Sequence, residues 1–157
     1  MQKTQRRRRK EAKTDYKSRF SLLKSGKPRL VVRKSNRYIL VQLVSSDIAQ
    51  DKIIVRASSK ELLSLGWPKE KHGSLKTLLA AYLTGYLLAR KGKERFKEAI
   101  LDSGLNRSVK GSRIFAALKG ASDAGLKISH DPEILPTEEM LLKNEKIKDL
   151  IKIKEKL

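Results

Sequence analysis

Five consecutive cationic residues near the start of the chain most constrain what it can fold into. The run from Arg6 to Lys10 is uninterrupted, and like charges at this density repel one another and cannot enter a hydrophobic core. We therefore expect residues 1–26 to form a basic arm and a short helix outside the core. The run itself should lack regular structure unless a dense anion lies against it. Nucleic acid is such an anion, with one charge for about every 1.7 Å of duplex axis.

The charge of the whole chain also points to a polyanionic partner. The 157 residues include 37 lysines and arginines against 17 aspartates and glutamates, a net charge of +20. Fifteen of these cations fall within residues 1–38, together with only two carboxylates. A basic excess of this size is typical of proteins that bind nucleic acid. The aromatic content of 5% disfavours a protein that binds single strands by stacking many bases.

Composition excludes several other classes of protein. The chain has no cysteine, which rules out disulfides and cysteine-based zinc sites and fits a reducing cytoplasm. No apolar run approaches the roughly 18 residues of a membrane span, so no membrane partner is predicted. The basic start lacks the apolar segment of a secretory signal. We expect one globular domain at residues 27–130 and a helical tail at residues 131–157.

A β-rich stretch follows the boundary marked by Gly26 and Pro28. Residues 29–34 and 37–45 predict a hairpin around a turn at Ser35 and Asn36, and residues 52–58 predict a third strand. Strand alternation places one set of side chains on a core face: Leu30, Val32, Ile39, Val41, Leu43, Ile53 and Val55. The opposite face then carries a basic and polar set: Arg29, Arg33, Tyr38, Gln42, Lys52 and Arg56.

Helical periodicity dominates the second half of the chain. Leucine and tyrosine recur at helical spacing over residues 75–90, with Ser74 as the expected N-cap, and this stripe predicts a core helix. Residues 98–102 fit either a buried parallel strand or the end of a helix. A second helix begins near Gly111, an edge strand follows at residues 126–128, and residues 137–157 form an amphipathic stretch. This order predicts an α/β or α+β domain with helices packed on a sheet.

Four segments carry a resemblance to a known family. They are RRRKEAKTDY at residues 7–16, PRLVVRKSNRY at 28–38, LAAYLTGYLLAR at 79–90 and FAALKGASDAGL at 115–126. In this order, over nearly the whole length, they resemble the universal large-subunit ribosomal protein family numbered eighteen, which binds 5S rRNA. The lack of the long C-terminal extension found in eukaryotic members favours the archaeal type.

The resemblance implies both a fold and a function. The implied fold is a three-layer α/β/α sheet of ribonuclease-H-like topology, an antiparallel meander plus a parallel strand at residues 98–102. The implied role is a structural constituent of the large ribosomal subunit, which binds 5S rRNA and helps to attach it to the large rRNA in the central protuberance. Neighbouring ribosomal proteins of the central protuberance are the further expected partners, and the expected location is the ribosome in the cytoplasm.

The candidate RNA-binding residues offer cationic, hydrogen-bonding or stacking groups on the arm, the hairpin, the loops and a helix start. Arginine is favoured for phosphate because its planar fork can donate two parallel hydrogen bonds. The set is Arg6, Arg7, Arg8, Arg9, Lys10, Lys13, Thr14, Tyr16, Arg19, Arg29, Arg33, Lys34, Asn36, Arg37, Tyr38, Arg56, Lys71, His72, Lys110, Ser112 and Arg113.

Each group of candidates also has a plainer interpretation. The arm fits a solubilising or targeting tail, and the hairpin face fits an ordinary solvated sheet face. Tyr38 can stack on a base or simply cover the sheet, and His72 can be a solvated loop residue. The helix start at Lys110 to Arg113 can be a phosphate site or a plain capped terminus.

Catalysis is not expected. Two-metal hydrolysis needs clustered carboxylates, whereas residues 29–34 contain no acid and Asp102 stands alone at the end of its segment. His72 and His130 are far apart and lack metal-ligand spacing, so we predict no metal and no cofactor. The rival class is a partner-scaffolding module, in which the tail docks a protein and the arm supplies only non-specific charge.

Overall fold

The computed structural model describes residues 4–47, 50–92 and 96–142. The helices are α1 (Arg7–Lys10), α2 (Tyr16–Lys24), α3 (Leu78–Gly92), α4 (Arg113–Asp123) and α5 (Glu138–Leu142). The strands are β1 (Arg29–Lys34), β2 (Ile39–Asp47), β3 (Gln50–Ser58), β4 (Glu98–Asp102) and β5 (Lys127–Ile128). Short 3-10 segments occur at Ser59–Leu63, Lys69–Lys71 and Pro132–Ile134.

The five strands form one open sheet in the order β3-β2-β1-β4-β5. β1 pairs antiparallel with β2, and β2 pairs antiparallel with β3. β4 runs parallel to β1, and β5 runs parallel to β4. The expected antiparallel meander with a parallel strand is confirmed, and residues 98–102 form a strand and not a helix end.

The hydrophobic core lies between one face of the sheet and the helix pair α3 and α4. Burial of a leucine side chain contributes roughly 1.5–3 kcal/mol, so this layer dominates the favourable side of folding. The other face of the sheet lies against the arm and helix α2, which meet it at a shared groove and through the Arg19–Asp51 bond, and this third layer completes the α/β/α arrangement. The predicted core face is confirmed for five strand residues that are fully buried: Leu30, Val32, Ile39, Val41 and Leu43.

The prediction that Ile53 belongs to this core face is wrong. The register between β2 and β3 shifts at Leu43, so that Leu43 pairs with Val55 but Val44 pairs with Ile53. The extra residue, Ile54, reverses the alternation along β3, as a β-bulge does. Ile53 therefore turns to the opposite face, where its side chain is 52% exposed.

The predicted start of the core helix is also wrong. Helix α3 begins at Leu78, because the hydroxyl of Thr77 accepts a hydrogen bond from the N–H of Ala80 at 3.2 Å. Thr77, and not Ser74, is thus the capping residue. Leu75, which the helical pattern included, precedes the helix and is buried all the same.

The hairpin turn lies one residue later than predicted. The backbone N–H of Ser35 donates to the carbonyl of Tyr38 at 2.9 Å, and the Tyr38 N–H donates to the Ser35 hydroxyl at 2.9 Å. Asn36 and Arg37 therefore form the tip.

The predicted tail helix begins within residues 137–142 as α5, and the rest of it lies outside the described residues. No helix in the described ranges is long and apolar enough to cross a membrane.

Helices α3 and α4 approach closely through two glycines. A Cβ at Gly85 would overlap the carbonyl oxygen of Ala117, and a Cβ at Gly120 would overlap the carbonyl oxygen of Tyr82. The Tyr82 hydroxyl also donates to Asp123 at 2.7 Å. Burial first, and this carboxylate second, raise the pKa of Tyr82 well above its ordinary value. The helix pair is therefore fixed by backbone contact and a cross-helix hydrogen bond.

We expect Gly85→Ala to destabilise the protein by about 3 kcal/mol or to prevent folding, because the obstructing atoms belong to the backbone of Ala117 and cannot rotate away. Urea unfolding measures the loss. Gly73→Ala is the matched control, since a Cβ there meets nothing within 4 Å, and its effect should stay within about 0.5 kcal/mol. Equal stability of the two variants would contradict the close crossing.

Candidate nucleic-acid interface

The basic arm contains a single helical turn, which differs from the expectation of a run without regular structure. Glu11 lies 2.8 Å from the Lys13 ammonium, and the Arg8 Nε donates to the Thr14 hydroxyl at 2.9 Å. The Glu11 carboxylate offsets part of the repulsion among the arm cations. The remaining arm cations are exposed: Arg6, Arg7, Arg9 and Lys10.

Helix α2 joins the arm to the sheet. The Asp15 carboxylate caps it by accepting hydrogen bonds from the backbone N–H groups of Lys17 and Ser18 at 2.9 and 3.2 Å. The Arg6 guanidinium lies over the Tyr16 ring, with its central carbon 4.9 Å from the ring centroid. This cation–π contact holds the arm against the start of the helix.

A buried ionic network connects α2 with the sheet. The Arg29 guanidinium, whose residue is 3% exposed, donates to Asp102 at 2.6 Å, to Asp51 at 2.8 Å and to the Ser46 hydroxyl at 3.1 Å. The second oxygen of Asp51 accepts from Arg19 at 2.8 Å. Arg29 was predicted to contact phosphate, but here it is enclosed by two carboxylates, so we assign it a positioning role.

The network also perturbs Asp51. Burial by itself would raise the pKa of this carboxyl, but hydrogen bonds from Ser46, Arg19 and Arg29 outweigh burial and hold the pKa below its ordinary value of 3.8. The charged form is thus the one that the folded structure favours.

A groove between the arm and the outer face of the sheet brings several predicted residues together. Its volume is about 410 Å³. We call it the arm–sheet groove, and the predicted RNA-binding residues that line it are Arg8, Lys13, Thr14, Arg19, Arg29 and Arg33. Arg29 and Arg19 are paired with acids on its floor and Lys13 is paired with Glu11 of the arm, whereas Arg8 and Arg33 are exposed.

The end of the hairpin adds exposed cations to this surface, and its one aromatic residue, Tyr38, is half-buried. Arg33, Lys34, Asn36 and Arg37 are all exposed. Tyr38 packs against the hydrophobic core.

Two other candidates lie away from this groove. Arg56 borders a separate concavity with Leu40 and Lys60. His72 is exposed just after the 3-10 segment Lys69–Lys71, and the side chain of Lys71 lies outside the described structure.

The start of helix α4 is a further separate feature. Lys110 forms an exposed ion pair with Glu133 at 3.1 Å. Ser112 occupies the N-cap position without a side-chain capping bond, and Arg113 is exposed beside it. None of the three lines the arm–sheet groove.

Sequence reasoning missed the acids that organise the site. Asp102 was noted only as standing alone, and Asp51 was not singled out, although it is one of the first two acids after an acid-free stretch at residues 16–46. Gln42, buried on the outer sheet face, and Phe20, 62% exposed on α2, were not predicted as site residues either. In the described ranges, no cluster of three or more histidine, aspartate or glutamate side chains could hold a metal ion.

Comparison with known proteins gives consistent relatives. A sequence profile described as "Ribosomal large subunit proteins 60S L5, and 50S L18" matches residues 1–99 and 91–131. The large ribosomal subunit protein uL18 of Korarchaeum cryptofilum is 54% identical over 136 residues, which cover 86% of this chain and 68% of that protein.

Proteins of the same name from two other organisms are equally similar. The one from Aeropyrum pernix is 52% identical over 135 residues, which cover 85% of this chain and 61% of the relative. The one from Methanococcus maripaludis is 52% identical over 136 residues, which cover 86% of this chain and 68% of the relative. The chain therefore spans 61 to 68% of the length of these three relatives.

We expect stability to fall in acid partly through Asp51. Because its folded pKa lies below the ordinary value of 3.8, its contribution is complete above that value and is lost as the pH falls through the folded pKa. Urea unfolding between about pH 5 and pH 3 should show a shallower loss for Asp51→Asn than for the wild type. Asp47→Asn, which removes one exposed carboxylate of the same hairpin, is the control, and a slope for Asp51→Asn equal to that of the wild type would contradict the network.

Proposed function

Because the chain belongs to the family of large-subunit ribosomal proteins that includes 60S L5 and 50S L18, we propose that it binds 5S rRNA and helps to attach it to the large rRNA in the central protuberance. The members of this family are structural, RNA-binding proteins of the large ribosomal subunit and not enzymes. The resemblance seen in the sequence and the prediction of no catalysis are thus confirmed.

The observation that carries the proposal is the convergence of arm and hairpin cations on one groove. Arg8 and Lys13 from the arm and Arg33 from β1 line the arm–sheet groove, although they are far apart in sequence. A groove with cations on both walls can follow a phosphate backbone from two sides. A merely solvated sheet face would not be expected to gather such charge under a folded arm.

The proposed energetics rest on counterion release. Each phosphate that a lysine or arginine neutralises contributes roughly −0.9 to the slope of log K against log salt on a duplex. Side chains cannot read the deep, narrow major groove of A-form RNA, so the arm and groove contact the backbone and the shape of the RNA. Charge then supplies most of the affinity, and the rigid placement of the cations supplies selectivity for one folded RNA.

Arg29 acts in this proposal by positioning other residues. Its bond to Asp102 ties β1 to the neighbouring strand β4, and its bond to Asp51 reaches across β2 to β3. Asp51 in turn holds Arg19, and with it α2, at the edge of the groove. The RNA contacts themselves are assigned to the exposed cations: Arg6, Arg7, Arg8, Arg9, Lys10, Lys13, Arg33, Lys34 and Arg37.

A second contact with rRNA is proposed at the start of α4. Lys110 and Arg113 flank Ser112, and the N-terminus of a helix attracts phosphate through its free N–H groups and its dipole. Two separate basic sites would suit a protein that joins 5S rRNA to the large rRNA.

The remaining parts of the proposal concern organisation and location. We propose that residues 1–26 serve as the RNA-binding arm, residues 27–130 as the globular 5S rRNA-binding domain and residues 131–157 as the tail. We place the protein on cytoplasmic ribosomes, beside neighbouring ribosomal proteins of the central protuberance.

Competition between 5S rRNA and transfer RNA tests the proposal directly. We expect 5S rRNA to win strongly at about 0.2 M salt, because general charge attraction weakens with salt while shape recognition by the folded domain persists. A titration at that salt and at about 0.05 M measures the preference. Equal binding of both RNAs, fading together with salt, would show a general polyanion binder and would sink the proposal.

The hairpin contribution can be measured with two charge-matched double variants. Replacing Arg33 and Arg37 with alanine should weaken 5S rRNA binding and flatten the salt slope by roughly 2. The control replaces Lys97 and Lys127, exposed residues at the opposite end of the strands, with alanine. Identical slopes for the two variants would remove the hairpin from the interface.

A further inference from the structure

Helix α2 turns an aromatic residue away from the sheet. Arg19 points to Asp51 on the sheet, whereas Phe20, the next residue, is 62% exposed. The Lys24 ammonium lies over one face of this ring, 5.4 Å from its centroid. A phenylalanine this exposed contributes little to the core, so the ring face that Lys24 does not cover can be offered to a partner.

A second groove, the arm–helix groove, lies between the arm and this side of α2. Its volume is about 560 Å³, within the range of small-molecule sites. The side chains that define it are Arg6, Arg9, Tyr16, Arg19, Phe20 and Leu23. No carboxylate is among the described residues that line it, and the nearby Asp15 is occupied by the backbone N–H groups of Lys17 and Ser18.

We propose that one unstacked nucleobase of the bound RNA inserts into the arm–helix groove and stacks on Phe20. This site rests on the proposed function and adds to it, because it gives the arm a contact with a base as well as contacts with phosphates. Base–aromatic stacking is tolerant of sequence, since every base has a π-face.

The charge of the groove selects a nucleotide as the occupant. An apolar protein segment would cover Phe20 and Leu23 but would leave Arg6 and Arg9 without counter-charge. A nucleotide supplies both a flat ring for Phe20 and a phosphate for the arginines. The guanidinium over Tyr16 adds a second flat surface of the kind on which RNA bases stack.

The arrangement is also held in place before any RNA arrives. Asp15 caps the helix that carries both rings. Arg6 fixes the arm over Tyr16, and the Arg19–Asp51 bond fixes the helix on the sheet. A preformed wall lowers the ordering cost of receiving a base.

The test compares Phe20→Leu with Phe20→Tyr in the full chain. Leucine keeps the apolar volume but removes the ring, so 5S rRNA affinity should fall by a factor of about 5 to 150. The salt slope should stay unchanged, because no phosphate contact is lost. Phe20→Tyr keeps the ring and should bind like the wild type, and urea unfolding checks that both variants are equally folded.

A fluorescence measurement provides an independent readout. Phe20→Trp places an exposed indole at the site, and stacking of a base on it should quench its emission when 5S rRNA binds. The native Trp67 is 3% exposed, and its response is measured in the wild-type protein as background.

The outcomes separate this site from the proposed function. Unchanged affinity of Phe20→Leu together with an unquenched Phe20→Trp would overturn the nucleobase site while leaving 5S rRNA binding intact. If Phe20→Leu binds 5S rRNA normally but no longer enters ribosomal subunits, the nucleobase site is also overturned, because the arm–helix groove would then dock a protein. Failure of the wild type to prefer 5S rRNA would sink the proposed function itself.

Discussion

The hydrogen bonds of the buried Arg29 guanidinium hold together the four strands β1 to β4 on the side of the sheet that faces the arm. Arg29 lies on the central strand β1 and reaches Ser46 on β2, Asp51 on β3 and Asp102 on β4. Removing one partner of a buried ion pair typically costs about 3–5 kcal/mol, because the remaining charge is left without compensation. The placement of α2 follows from the same network, since Asp51 also binds Arg19.

This network divides the charge of the protein into two uses. Asp51 and Asp102 pair with Arg29, and Asp51 also pairs with Arg19. Asp15 and Glu11 make contacts within the arm and α2. Other cations of the arm and hairpin, such as Arg9, Arg33 and Arg37, are exposed. The few acids near this surface pair with Arg29 and Arg19 or hold the arm and α2, and these contacts fix the positions of the exposed cations.

The opposite layer provides the rigidity that such a surface requires. Gly85 and Gly120 let the backbones of α3 and α4 meet, and the sheet packs on this pair through fully buried side chains such as Leu83 and Leu118. Cations on a rigid sheet can match the spacing of phosphates in one folded RNA. In the proposed function the arm would provide affinity, the sheet would provide position, and stacking on Phe20 would add one base to the contacts.

The sequence by itself determined most of the elements, most of their core faces and the basic character of the chain. Burial leaves a local record in the period-2 alternation of strands and in the helical spacing of apolar residues. The sequence also determined the family and the expectation of a parallel fourth strand through four recognisable segments. Only the tertiary structure decided that Arg29 is buried, that Ile53 faces outward and that Phe20 is exposed. The carboxylate partners of Arg29 lie 22 and 73 residues away in sequence. A single bulge in β3 reverses the face on which Ile53 lies. Local patterns do not contain this information. Long-range pairing, and not residue type, determines that Arg29 is buried in ion pairs whereas Arg33 is exposed.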